Sequence, residues 1–157
     1  MVRKSIIFWF SFSLLLGTVA ILAIYRAWPL LFPKITEAAP LDPQCDLRTD
    51  ACSSAFPSGG QVRFQIRPKA IPVLKPLALE VQLEGIMPQG VEVDFSGTDM
   101  NMGYNRATLE RDGSNHWRGK IILPACARDH MEWEAKVLLK TDEKILAAPF
   151  RFSTYRN

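Results

Sequence analysis

From Gln61 onward, apolar and polar residues alternate with a period of two, as in strands with one buried and one wet face. In "QVRFQIR", Val62, Phe64 and Ile66 share a side. "LALEVQLEG" sets Leu77, Leu79, Val81 and Leu83 against Glu80, Gln82 and Glu84, and "VEVDF" continues with Val91, Val93 and Phe95. "ATLER" (107–111) is a weaker strand that runs into the turn signal Asp112-Gly113. "WRGKIIL" offers Trp117, Ile121 and Leu123, and "MEWEAKVLL" aligns Met131, Trp133, Ala135, Val137 and Leu139. After the turn "TDEK", "LAAPFRF" closes the set with Phe150 and Phe152, its Pro149 suiting an edge strand. About seven short strands over residues 61–153, with no helical period, predict an all-β, immunoglobulin-like antiparallel β-sandwich.

The N-terminus follows another pattern. Arg3 and Lys4 precede Ile6 to Ile24, a 19-residue run without charge. Such a run is long enough to cross a bilayer, which needs roughly 20 residues as helix. Tyr25 and Trp28 suit headgroup depth, and Pro29 and Pro33 end the helix. The expectation is an uncleaved transmembrane signal-anchor over residues 1–28. The competing reading is a cleaved leader, which would have an apolar region of about 7–15 residues and a small-x-small site; Thr18-Val19-Ala20 fits that weakly. Arg3 and Lys4 on a very short tail favour an N-inside orientation, although Arg26 and Lys34 flank the far end. The C-terminal domain would then face a periplasm-like space, held at the inner membrane by a single pass.

Residues 29–60 are expected to be a linker, since 35–60 are rich in Pro, Ser, Ala and Gly without apolar periodicity. The folded domain is expected over 61–157. Within the linker, Cys45 and Cys52 in "CDLRTDAC" suit a local disulfide in an oxidising compartment. A zinc pair is the alternative, at a spacing longer than the usual two to four intervening residues. Cys126 is left over, and an odd exported cysteine asks for a reason.

Charge removes one class of partner. Arg3, Lys4, Arg26 and Lys34 are the only charged side chains before residue 35; subtracting these four from the chain's 19 basic residues leaves 15 against 16 acidic. The domain is near neutral and carries no basic nucleic-acid footprint. Enzyme motifs are also missing: no GxSxG elbow, phosphate-cradling loop, HExxH or C-x-x-C occurs. No catalytic residues are assigned.

Two segments carry soft-ligand chemistry. "GTDMNMGYN" (97–105) puts Met100 and Met102 on the same side of an extended segment. "LPACARDHMEWEA" (123–135) brings Cys126, His130 and Met131 within six positions on a connection between strands. Thioether and thiolate select Cu(I), and a thioether cannot be consumed by disulfide formation. If both segments meet at one end of the sandwich, these five residues form a copper ligand pool. Each has a plainer role. Met100, Met102 and Met131 serve equally as core filler, His130 as a solvated loop residue and Cys126 as a buried thiol. Met87 and His116 are expected to be a turn-flanking hydrophobe and an exposed hairpin residue.

The anchor, then "DMNMG" followed by Leu109, "HWRGKIILP" and "MEWEAKVLL" together resemble the FixH/YtkA-like family of small membrane-anchored β-sandwich proteins. The resemblance covers about residues 90–140 and matches Met100, Met102, Gly103, Leu109, Trp117, Gly119 and Trp133. It implies a role near copper handling or the assembly of haem–copper respiratory oxidases. The chain departs from the pattern at Tyr104-Asn105, where histidine is common, and in the longer Cys126 connection. The expected function is therefore a copper-binding or copper-delivery protein linked to respiratory oxidase assembly. A metal-free accessory subunit of a membrane complex, with contact through the anchor or apolar side chains such as Leu138, is the alternative. A plain structural domain stands third.

Overall fold

Each of the seven period-two segments forms a strand. The computed structural model describes residues 2–31, 35–100, 102–125, 128–142 and 144–155. It divides into two compact units, residues 1–34 and 35–157. The first is helix α1 (Val2–Leu31), 30 residues long and containing the whole uncharged run. Its described side chains, Trp9 and residues 12–26, are exposed. Among the described residues no helix is long and apolar enough to cross a membrane.

The second unit is all β. Its strands are β1 (Ile35–Ala38), β2 (Cys52–Ala55), β3 (Gln61–Arg67), β4 (Pro76–Glu84), β5 (Gly90–Gly97), β6 (Asn105–Arg111), β7 (His116–Ile122), β8 (His130–Lys140) and β9 (Ile145–Tyr155). They form one sheet in the order β1-β9-β8-β5-β6-β7-β4-β3-β2. All pairings are antiparallel except β1 on β9. The described residues thus carry nine strands rather than seven.

The two extra strands lie in the stretch expected to be a linker. β1 pairs with the start of β9 and β2 with β3. Ala39, Leu47, Cys52 and Phe56 are buried in the same core as the later strands. Each strand is four residues long. They are held by ladder bonds and a few buried side chains, which leave no periodic signature. Cys45 and Cys52 are joined as a disulfide, with their Cα atoms 5.7 Å apart. Closing a loop this short contributes about 2–3 kcal/mol in the chain-entropy model. Replacing both cysteines by alanine is expected to lower the urea unfolding free energy by about that amount.

β6 explains how the sheet curls. Asn105–Leu109 pair with β5, whereas Glu110 and Arg111 pair with β7. One strand thus bends from one half of the sheet into the other. The inner faces meet: Phe64 on β3 and Phe150 on β9, distant in strand order, have ring centroids 5.5 Å apart. The edges also approach each other, since Ser54 Oγ donates to the Pro40 carbonyl at 2.8 Å. The Ser58 N–H likewise donates to Glu37 Oε1 at 2.8 Å.

Alternation places the core as expected. Val62, Phe64, Ile66, Leu77, Leu79, Val91, Val93, Trp133, Val137 and Leu139 are fully buried. Each large side chain so buried contributes roughly 1.5–3 kcal/mol. Leu138 is also buried, at 4 % exposure, so it offers no free apolar contact. Its strand neighbours are Glu92 on β5 and Ala147 on β9. Pro149 has β8 on one side and lies beyond the last β1 pairing at Ala147, so its missing N–H breaks no bond to β1.

The outer face of β5, β6 and β8 carries an ion-pair ladder. Arg106 sits 3.4 Å from both Glu92 and Asp94, and Lys140 reaches Glu92 from the other side. Burial pulls the Arg106 guanidinium down, but Asp94, Tyr104 and Glu92 outweigh it and hold it above its ordinary value.

Candidate functional site at the rim of the sheet

β5 ends at Gly97, and residues 98–104 turn into β6. Gly97 pairs with Trp133 near the start of β8. One step on, the Thr98 N–H donates to the Glu132 carbonyl at 3.1 Å. An exposed ion pair, Arg128 to Asp99 at 3.7 Å, links the same two segments. Such a pair contributes at most about 1 kcal/mol, so the backbone bonds fix the geometry. The two segments singled out for soft ligands do lie beside each other.

Gly97 is the hub. A Cβ built on it would overlap Met131 Cε, lie 2.6 Å from the Met100 carbonyl oxygen and 3.2 Å from Met102 Cγ. The missing side chain lets two methionine side chains and a turn of backbone approach one point. Gly103 supplies the left-handed residue of the turn (φ 74°). Asn105 Nδ2 closes the turn by donating to the Met102 carbonyl at 2.8 Å. Gly97→Ala is expected to cost about 1–3 kcal/mol by overpacking. The methionine ends can shift, but the Met100 carbonyl belongs to the turn itself. A shift of the urea midpoint checks this.

The three methionines form a gradient of exposure. Met131 is buried at 4 %, Met102 is half-buried against the core, and Met100 is 36 % exposed. His130 does not join them. Adjacent strand residues point to opposite faces, so with Met131 inward, His130 faces out. Its ring packs at 4.8 Å on that of Tyr155, its partner on β9. The Arg48 guanidinium lies 4.8 Å from the same Tyr155 ring. Cys126 lies outside the described residues.

Behind the rim, Trp133 is fully buried and its indole N–H donates to Thr154 Oγ1 at 3.0 Å. The gap beside Trp133 and Met131 has a volume of about 10 Å³. That is room for about one water, so a ligand of any size would meet the methionines from outside. Among the described residues no group of three or more His, Cys, Asp and Glu is placed to hold a metal ion. Met87 is 92 % exposed, and His116 is exposed at the start of β7. Gly97, Tyr155 and Arg48 were not legible as site residues. Gly97 is an ordinary strand end until β8 is placed beside it, and the other two meet His130 only through long-range pairing.

No family model matches the chain, and no curated protein matches it. Among solved structures, a DUF4785 family protein from Legionella pneumophila subsp. pneumophila str. Philadelphia 1 is similar, with a TM-score of 0.39 and 12 % identity. The match covers 61 % of this chain and 28 % of that one, so this chain spans well under half its length.

Proposed function

We propose that this chain is a membrane-anchored, periplasm-facing protein that binds Cu(I) at the methionine rim and delivers it during respiratory oxidase assembly. The observation that carries the proposal is the packing of the Met102 and Met131 side chains against Gly97, with the Met100 carbonyl at the same point and Met100 exposed at the rim. Thioethers graded from buried Met131 through half-buried Met102 to exposed Met100 offer a soft ion polarisable donors and an open approach. Met100 and Met102 are the leading ligands, and Cys126 is the third. Met131 backs the site from the core, and His130, turned toward Tyr155, would have to swing away to take part. The helical run Ile6–Ile24 supports the anchor. The contact between Phe64 and Phe150 supports reading the curled sheet as an immunoglobulin-like sandwich.

The second reading is a metal-free accessory subunit, favoured by the burial of Met131 and the outward packing of His130. Titrating the reduced full chain in detergent with Cu(I), against a colorimetric chelator, separates the two. The copper reading expects one equivalent withheld from the chelator. Complete loss to the chelator leaves the accessory reading.

A further inference from the structure

The outer face of β3, β4 and β7 has a feature independent of the methionine rim. Arg67, Ala78 and Lys120 are register partners across the three strands, so two cations flank a methyl group. With Lys69 they line an open cavity of about 470 Å³. Elsewhere on the sheet the cations Arg106, Arg118, Lys136, Lys140 and Arg151 have carboxylate partners. Among the described residues Arg67 and Lys120 have none. One row along, Glu80 is taken up by Gln65 and Arg118. Lys69 is partly desolvated, which draws its ammonium below its ordinary value, with Asp50 pulling the other way. Its Nζ donates to the Leu47 carbonyl at 3.2 Å.

Two exposed apolar residues follow at the same end of the strands. Ile122, whose strand partner is Pro76 on the cavity wall, is 56 % exposed. Leu74 is 66 % exposed and has a left-handed backbone (φ 57°), a conformation unfavourable for a non-glycine residue. Its N–H is held by the Leu123 carbonyl at 2.9 Å, and buried Ile71 pins the loop below. The fold therefore maintains a costly conformation at a residue whose side chain it leaves in water. Exposed apolar residues at the same end of the strands as unpaired charge of one sign are the makings of a protein-binding surface.

We infer that this face docks an extended acidic segment of a partner protein, with carboxylates on Arg67 and Lys120 and an apolar side chain on Leu74 and Ile122. A peptide is favoured over a lipid surface because its alternating side chains can meet separated cations and exposed apolar residues at once. A phosphate headgroup would moreover leave Leu74 and Ile122 uncovered.

The test is fluorescence anisotropy of a short labelled peptide alternating Glu and Leu, titrated with the full chain in uncharged detergent. Saturable binding is expected, weakened at least about tenfold by Arg67→Glu or Lys120→Glu and lost with Gln in place of Glu in the peptide. Leu74→Ser should weaken it independently of charge. Lys144→Glu, the same charge change at the other end of the strands, should leave it unchanged, and circular dichroism checks that each variant is folded. Absence of peptide binding, equal binding by the charge-reversed variants, or capture only by vesicles containing phosphatidylglycerol would overturn the assignment. None of these outcomes depends on copper.

Discussion

Trp133→Ala is expected to lower the unfolding free energy by about 3–5 kcal/mol, the range for deleting a buried aromatic side chain. Trp133 has no exposed surface, and its ring lies nearly parallel to that of Phe152, with centroids 6.4 Å apart and planes 8° from each other. Removing it opens a cavity between β8 and β9 and takes the hydrogen-bond partner from Thr154, itself only 3 % exposed. A loss of that size is a large fraction of the 5–15 kcal/mol that typically holds a domain together, so the variant should be substantially unfolded at modest urea. Trp133→Phe keeps a ring and loses chiefly the hydrogen bond. Its cost should be smaller, about 1–3 kcal/mol. Urea titrations followed by far-ultraviolet circular dichroism give both values. Equal effects of the two variants would show that the bond to Thr154, not the packing of the ring, accounts for the stabilisation.

Met100→Ala with Met102→Ala should reduce Cu(I) affinity at least about a hundredfold, or about 2.8 kcal/mol at 1.4 kcal/mol per tenfold. Stability should change far less, because Met100 is more than a third exposed and Met102 is only half-buried. Met131→Ala should do the reverse. As a core residue it should cost about 2–5 kcal/mol of stability, with affinity affected only as the Gly97 contact loosens. Affinity and stability measured on the same samples separate ligation from packing. A double variant that binds copper like the parent removes the methionines from any metal site.

Much of the fold was legible because burial and alternation are the same fact read from two sides. The sequences at β3, β4, β5 and β8 announce their inner faces residue by residue. β1 and β2 were not legible. "ITEA" and "CSSA" are too short and too polar for a period, and they exist because β9 and β3 offer them edges. Leu138 misled for a related reason. Its place in the alternation puts it on the outer face, but the neighbouring strands bury it. At the rim, residue types suggested the chemistry, whereas proximity required the pairing of Gly97 with Trp133. Alternation along β8 could have warned that Met131 and His130 face opposite ways. The groove was invisible in the sequence, because Arg67, Ala78 and Lys120 come together only through two strand registers.

The most direct test is copper K-edge absorption of the Cu(I)-loaded full chain produced with selenomethionine. A site built on Met100 and Met102 requires copper–selenium scattering in the first shell, which should vanish in the Met100→Ala/Met102→Ala variant. A first shell of only nitrogen and oxygen, or the same copper–selenium signal in that variant, would contradict it.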